Sequence, residues 1–163
     1  GSYVRDKDAV NASMLICEMA AFYRMKGISL IQARENMYKT YGVYYHTQQS
    51  FTFEGKAGME KMNSIMENLR KNYVAEIGGL KVILFEDYLE GISKNVETGE
   101  ITEIKLPKSN VLVFGLTDGA KVIIRPSGTE PKIKAYYTAI GETQSDAQAL
   151  EKKLAESFSK LIN

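Results

Sequence analysis

The feature that most constrains the fold of this chain is a change in the spacing of its apolar residues. Up to Gly42 they recur every three or four positions, the spacing of one face of an α-helix. From Tyr73 to Ile140 they recur mostly at every second position, in short runs separated by turn residues such as Gly and Pro. The sequence therefore predicts helices followed by a region made mainly of strands.

Helix-start and turn signals divide these patterns into elements. Capping-box spacing marks two helix starts, Ser29–Gln32 and Ser145–Gln148, and Asp6 or Asp8 can cap the first helix. The predicted helices cover residues 8–25, 29–41, 56–71 and a final segment from 143 onward. The predicted strands cover residues 43–53, 80–88, 88–96, 101–106, 111–116, 120–124 and 132–140. This is an α+β chain in which a helix hairpin, residues 1–42, precedes an antiparallel sheet with helices on one face, residues 43–163.

Two local patterns make this prediction more specific. The dipeptide Asp118-Gly119, between two of the strands, favours a tight primed hairpin turn. The last helix has an apolar stripe at helical spacing that we expect to be buried, made of Leu150, Leu154, Phe158 and Leu161.

Composition limits the classes of partner. Apolar residues make up 44% of the chain and charged residues 25%, as in globular proteins, and the net charge of +1 gives no overall attraction to nucleic acid or anionic membranes. No apolar run approaches the roughly 20 residues that cross a bilayer. The single cysteine, Cys17, excludes an intrachain disulfide and is expected to be buried in its helix, which fits a cytoplasmic protein. Because Tyr3 follows no initiating Met, we expect a piece of a longer protein.

The segment Arg125–Lys132 gathers groups that bind anions. The guanidinium of Arg125 can grip a phosphate with two hydrogen bonds, and Ser127 and Thr129 add hydroxyl donors. Gly128 is expected to take a positive φ that turns successive N–H groups toward one centre. On chemistry alone, a rigid turn between strands with a surface Arg and Lys stays open as the alternative.

The same segment resembles a known family. Residues 125–134, RPSGTEPKIK, resemble the phosphate-binding loop in the last domain of the α-D-phosphohexomutases, the phosphoglucomutase/phosphomannomutase superfamily. Residues 3–10, YVRDKDAV, followed by Glu18-Met19-Ala20, resemble a helix of the third domain of these enzymes, closest to the phosphoglucomutase/phosphopentomutase branch. The resemblance implies that residues 1–42 are the C-terminal helices of the third, α/β/α domain. It also implies that residues 43–163 are the fourth domain, with a TATA-binding-protein-like fold.

The resemblance also implies a role. In the full-length enzyme, glucose 1-phosphate and glucose 6-phosphate are interconverted through a hexose 1,6-bisphosphate with the help of Mg²⁺, whose ligands are absent from this sequence. The fourth domain holds the phosphate that is not reacting. By resemblance the phosphate-binding residues are Arg125, Ser127, Gly128, Thr129 and Lys132. The fragment alone is expected to be inactive, with no catalytic residue unless Lys7 is one.

Several alternatives stay open at this point. The full-length enzyme could be a phosphomannomutase or a phosphopentomutase, or the piece could be a free-standing phosphosugar- or anion-binding module. Lys7 could contact phosphate or assist proton transfer, or it could be a solvated residue at a helix start. Glu130 could orient Arg125 or Lys132, or be a plain turn carboxylate. The expected partners are a phosphosugar and the upstream domains, with self-association through the helix hairpin as a further expectation.

Overall fold

The computed structural model describes Val4, residues 6–72 and residues 74–162. Tyr3 and Arg5, which carry part of the N-terminal resemblance, and Tyr73, where the alternating pattern begins, lie outside the described residues. The chain divides into two units, Gly1–Gly42 and Val43–Asn163.

The first unit contains two helices, α1 (Ala9–Met25) and α2 (Leu30–Tyr41). Asp8 caps α1 by accepting a hydrogen bond from the backbone N–H of Asn11 at 2.9 Å. The predicted capping box at the start of α2 is confirmed, since Ser29 and Gln32 each accept a hydrogen bond from the other's backbone N–H. These caps fix where the two helices begin.

Neither helix of the first unit contains a buried residue. Its large apolar side chains are exposed, among them Val10, Met14, Ile16, Phe22, Met25, Ile31 and Tyr41. The expectation that Cys17 is buried is wrong, because the thiol is exposed. The amphipathic pattern predicted a buried face, but two helices alone are too small to enclose one.

The second unit is a sheet with two helices. Its helices are α3 (Gly55–Lys71) and α4 (Gln144–Ile162). Its strands are β1 (Val43–Thr52), β2 (Glu76–Ile77), β3 (Leu80–Asp87), β4 (Ile92–Asn95), β5 (Ile101–Glu103), β6 (Leu112–Leu116), β7 (Lys121–Pro126) and β8 (Lys132–Gly141). The sheet order is β1-β8-β7-β6-β3-β4-β5, with β2 paired to β3. Every pairing is antiparallel.

The core lies between one face of this sheet and the two helices. Alternate residues of β8 are fully buried, namely Ile133, Ala135, Tyr137 and Ala139. The ring of Tyr137 lies 6.3 Å from that of Phe158 in α4, and α3 adds Met62 and Met66 to the same cluster. The predicted α+β class, an antiparallel sheet with helices on one face, is confirmed.

The opposite face of the sheet positions the candidate site. Because side chains alternate along a strand, Lys134 and Tyr136 of β8 lie on the face away from the core. In β7, Arg125 is the register partner of Lys134, and Ile123 is the partner of Tyr136. Directly opposed residues share a face, so Arg125, Lys134 and Tyr136 lie on one surface beside the β7–β8 loop.

Local predictions for the second unit have mixed outcomes. The primed turn is confirmed, since Asp118 (φ 59°) and Gly119 (φ 75°) both take positive φ. The predicted Ser145–Gln148 capping box is wrong, because Thr143 and Asp146 exchange the capping hydrogen bonds at the start of α4. At the other end of α4, Leu161 is exposed and Ile162 is buried instead.

Candidate anion-binding site

The β7–β8 loop borders a cavity of about 310 Å³. The residues that line it come from the loop and from the open face of the sheet, namely Arg125, Pro126, Ser127, Gly128, Thr129, Lys134 and Tyr136. The structure therefore brings together four of the five sequence-predicted phosphate residues, and Lys132 does not line the cavity.

Two cationic side chains lie next to each other on the adjacent strands β7 and β8 that border the cavity. Arg125 at the end of β7 is exposed, and its register partner Lys134 is half-buried. Neither side chain makes a hydrogen bond or an ion pair with any described residue. Their charges repel each other and are not compensated by a carboxylate in contact, so an anion placed between them would be attracted by both.

The loop is held by its own hydrogen bonds. The hydroxyl oxygen of Ser127 accepts from the backbone N–H groups of Thr129 at 3.4 Å and Glu130 at 3.3 Å. The N–H of Ser127 donates to the carbonyl of Lys132, and the N–H of Lys132 donates to the carbonyl of Glu130, both at 2.8 Å. These bonds set the loop conformation before any ligand binds, which lowers the entropy lost on binding.

Gly128 does not act as predicted. Its φ is not in the positive range, so the expectation of a left-handed turn that aims N–H groups at one centre is wrong. The side chain of Ser127 closes the turn instead. A Cβ at Gly128 would meet nothing within 4 Å, so the absence of a side chain there leaves the cavity open.

Lys132 and Glu130 form an ion pair next to the cavity. The ammonium of Lys132 lies 2.8 Å from Glu130 Oε2, with 27% of the lysine side chain and 59% of the glutamate side chain exposed. The hydrogen bond from Lys132, its charge and the charge of Lys134 hold the pKa of the Glu130 carboxyl below its usual value. Lys132 therefore already has a counterion.

Two lining residues, Lys134 and Tyr136, were missed from the sequence. A period of two along β8 puts both on one face, which was a readable signal. Whether that face also carries Arg125 depends on the register between β7 and β8, and register is set by the packed sheet.

Lys7, the other candidate, lies in the first unit. It is exposed and forms an ion pair with the neighbouring Asp6 at 3.1 Å, the arrangement expected of a solvated helix start. Its proposed contact with phosphate stays a prediction.

The described residues do not fit a magnesium site. Within residues 6–72 and 74–162, and at Val4, no group of three or more His, Cys, Asp or Glu side chains could hold a metal ion. Over the same part of the chain, no helix is both long and apolar enough to cross a membrane.

Comparison with known proteins bears on the same region. Residues 62–157, which include the whole β7–β8 loop, match the family described as "Phosphoglucomutase/phosphomannomutase, C-terminal domain". A phosphoglucomutase of Staphylococcus aureus (strain bovine RF122 / ET3-1) is 43% identical over 136 residues, which are 83% of this chain and 24% of that protein. A phosphoglucomutase of Staphylococcus saprophyticus is 37% identical over 134 residues, 82% of this chain and 24% of that protein. The chain thus spans about a quarter of the length of these relatives.

A solved structure is similar in fold. The open form of the exocytosis-sensitive phosphoprotein pp63/parafusin, a phosphoglucomutase from Paramecium, matches with a TM-score of 0.61 at 17% identity. The match covers 99% of this chain and 28% of that chain. This likeness concerns the fold alone. The family match over residues 62–157, with the identity to the curated relatives, shows that the chain belongs to the phosphoglucomutase/phosphomannomutase family and contains its C-terminal domain.

Proposed function

We propose that the unit Val43–Asn163 binds the non-reacting phosphate of a phosphosugar for a phosphohexomutase whose catalytic residues lie elsewhere in the full-length protein. The reaction we propose for that protein is the interconversion of glucose 1-phosphate and glucose 6-phosphate in the cytoplasm. The observation that carries the proposal is the cavity beside the β7–β8 loop, where the side chains of Arg125 and Lys134 lie together and neither pairs with a carboxylate among the described residues.

The groups in this cavity suit a phosphate dianion. The planar guanidinium of Arg125 can donate two parallel hydrogen bonds to phosphate oxygens, and Lys134 adds a second positive charge. The hydroxyls of Ser127 and Thr129 can donate further hydrogen bonds from the loop. The open space at Gly128 lets the ligand approach the backbone.

Such a site acts at a distance from the reacting group. Binding energy gained on a phosphate that does not react can orient the rest of the sugar for phosphoryl transfer. The role we propose for the described residues of this chain is to bind and orient the ligand. The Mg²⁺ and the hexose 1,6-bisphosphate implied by the family would be held with the help of other parts of the full-length protein.

Substitution of Arg125 tests the proposal. We expect Arg125→Ala to weaken binding of inorganic phosphate and of glucose 1-phosphate by about 2–4 kcal/mol, the scale of a charge-assisted, preorganised contact. Arg125→Lys should recover only part of this, because an ammonium cannot form the two-pronged contact. Isothermal titration calorimetry measures both affinities.

Lys121→Ala is the matched control. Lys121 is an exposed cation on β7 that does not line the cavity, so its loss removes the same charge away from the loop. We expect it to change affinity by less than about 0.5 kcal/mol. Equal effects of Arg125→Ala and Lys121→Ala would show that the cavity is not the binding site.

A further inference from the structure

We propose that Glu130 limits how tightly the site holds phosphate, by pairing with Lys132 and keeping that lysine from becoming a third cation of the cavity. The inference rests on the proposed function and deepens it, because it assigns a role to a loop residue of the same site. Glu130 acts through Lys132 and is therefore a positioning residue.

The geometry of β8 gives Lys132 the means to reach the cavity. Lys132 and Lys134 are two residues apart on one strand, so their side chains leave the same face at a separation of about 7 Å. A lysine side chain is long and flexible enough to span most of that distance. Lys134 lines the cavity, whereas Lys132 is turned to Glu130 Oε2 at 2.8 Å.

The charges then define two states of the site. With the pair intact, Glu130 and Lys132 cancel each other, and an anion experiences mainly Arg125 and Lys134. Without the carboxylate, the ammonium of Lys132 is released and adds a third positive charge. Without the ammonium, the carboxylate remains next to the anion and repels it.

This pairing matters for a ligand that has to leave. The proposed reaction interconverts a 1-phosphate and a 6-phosphate through a 1,6-bisphosphate, so each phosphate has to occupy this site in turn, and the one held here must be released and replaced by the other. A site with three cations would hold a dianion longer and slow that exchange, since most changes in affinity appear in the dissociation rate. The pair therefore favours moderate affinity over the tightest binding.

Three variants of the chain test the inference: Glu130→Gln, Lys132→Gln and the double variant. Inorganic phosphate is titrated at low ionic strength. We expect Glu130→Gln to bind about threefold to tenfold more tightly and Lys132→Gln to bind more weakly by a similar factor, as expected for one charge some ångströms from a solvated anion. The double variant, which removes both charges, should return to within about twofold of the unmodified chain.

Ionic strength separates a charge effect from damage to the loop. The gain in Glu130→Gln should disappear near 1 M salt, where charges are screened over about 3 Å. A distorted loop would weaken binding at every salt concentration. Glu97→Gln is the matched control, since it removes the same charge in the β4–β5 turn and should leave phosphate binding unchanged.

Each alternative result would contradict one specific claim. If Glu130→Gln binds no more tightly than the unmodified chain, the role of Glu130 is wrong while the phosphate site stands. If the double variant is as weak as Lys132→Gln, Lys132 is a direct phosphate ligand and the inference is again wrong. If the unmodified chain does not bind phosphate, the proposed function fails, and this inference fails with it.

Discussion

Tyr137 shows how a single buried residue couples an edge strand to a helix. Its hydroxyl donates to Gln49 Oε1 of β1 at 3.1 Å. The hydroxyl of Ser159 in α4 lies 3.3 Å from the same oxygen and 2.7 Å from the carbonyl oxygen of Ala155, to which its one hydrogen can also be donated. The side chain of Tyr137 is 1% exposed. Burial, with a smaller effect from the charge of Glu151, raises the pKa of the Tyr137 hydroxyl well above its ordinary value.

This raised pKa predicts a specific response to alkaline pH. In the unfolded chain Tyr137 ionises near pH 10, whereas in the folded chain it stays neutral. The unfolded state therefore gains stability as pH rises above 10, and the contribution of Tyr137, fully present below that pH, is progressively lost. We expect Tyr137→Phe to lower the free energy of unfolding by about 1 kcal/mol at pH 7, because the hydrogen bond is lost. Above pH 10 the free energy of unfolding of this variant should decrease less steeply than that of the unmodified chain.

Urea denaturation at pH 7 and at points from pH 9 to 11.5 measures this difference. Tyr44→Phe, at an exposed position on β1, is the control and should follow the unmodified chain. A gap between Tyr137→Phe and the unmodified chain that stays constant to pH 11.5 would contradict the account.

An ion pair ties α3 to the strands at the far side of the sheet from β1. Asp87 at the end of β3 is fully buried and accepts a hydrogen bond from Arg70 Nε of α3 at 2.6 Å. Its other oxygen accepts from the backbone N–H groups of Leu89 and Glu90 in the following turn. Arg70 also donates to Asn110, so one guanidinium links a helix, a turn and a loop.

Removing the arginine should therefore be costly. We expect Arg70→Met to lower the free energy of unfolding by about 3–5 kcal/mol, because it leaves the buried carboxylate of Asp87 without its counterion. Lys71→Met is the control, since the pair between Lys71 and Glu67 is exposed and contributes at most about 1 kcal/mol. Chemical denaturation measures both, and a cost below 1 kcal/mol for Arg70→Met would show that Asp87 is solvated or paired in another way.

Local patterns predicted the elements well, and contacts between elements were harder to predict. The capping box at Ser29 and the primed turn at Asp118 depend on neighbours within four residues, and both are present. The partner of Asp87 is 17 residues away and depends on how α3 packs on the sheet.

In the candidate site, too, local patterns were predicted from the sequence and contacts between elements were not. The loop was recognisable because its anion-binding groups are contiguous in the sequence. Lys134 lines the cavity because of the register between β7 and β8, whereas Lys132 does not line it and pairs with Glu130. The conformation of Gly128 was mispredicted because the Ser127 side chain supplies the turn that a left-handed glycine was expected to supply.

The two units of the molecule differ in how much they bury. The cluster of fully buried apolar residues belongs to Val43–Asn163, whereas α1 and α2 bury none. The relatives are about three and a half times as long as this chain. We propose that Gly1–Gly42 is the end of the family's third domain and that its apolar face packs against that domain in the full-length protein.

This proposal predicts self-association of the chain on its own. Exposed apolar side chains such as Phe22 and Met14 should pack against a second copy when the upstream domain is absent. Analytical ultracentrifugation at about 100 μM should show dimers or larger species, and the double change Met14→Lys with Phe22→Lys should return the chain to a monomer. Lys121→Ala, in the other unit, should leave the association unchanged. A strictly monomeric chain that also fails to bind a hydrophobic dye would contradict this account of the first unit.

The most direct test of the central claim is to locate phosphate on the chain. In an amide chemical-shift titration with inorganic phosphate, we predict saturable shifts that are largest at Ser127, Gly128 and Thr129 and that disappear in Arg125→Ala. Shifts that are absent, or that spread evenly over exposed lysines and persist in Arg125→Ala, would contradict the assignment of the β7–β8 loop as the phosphate site.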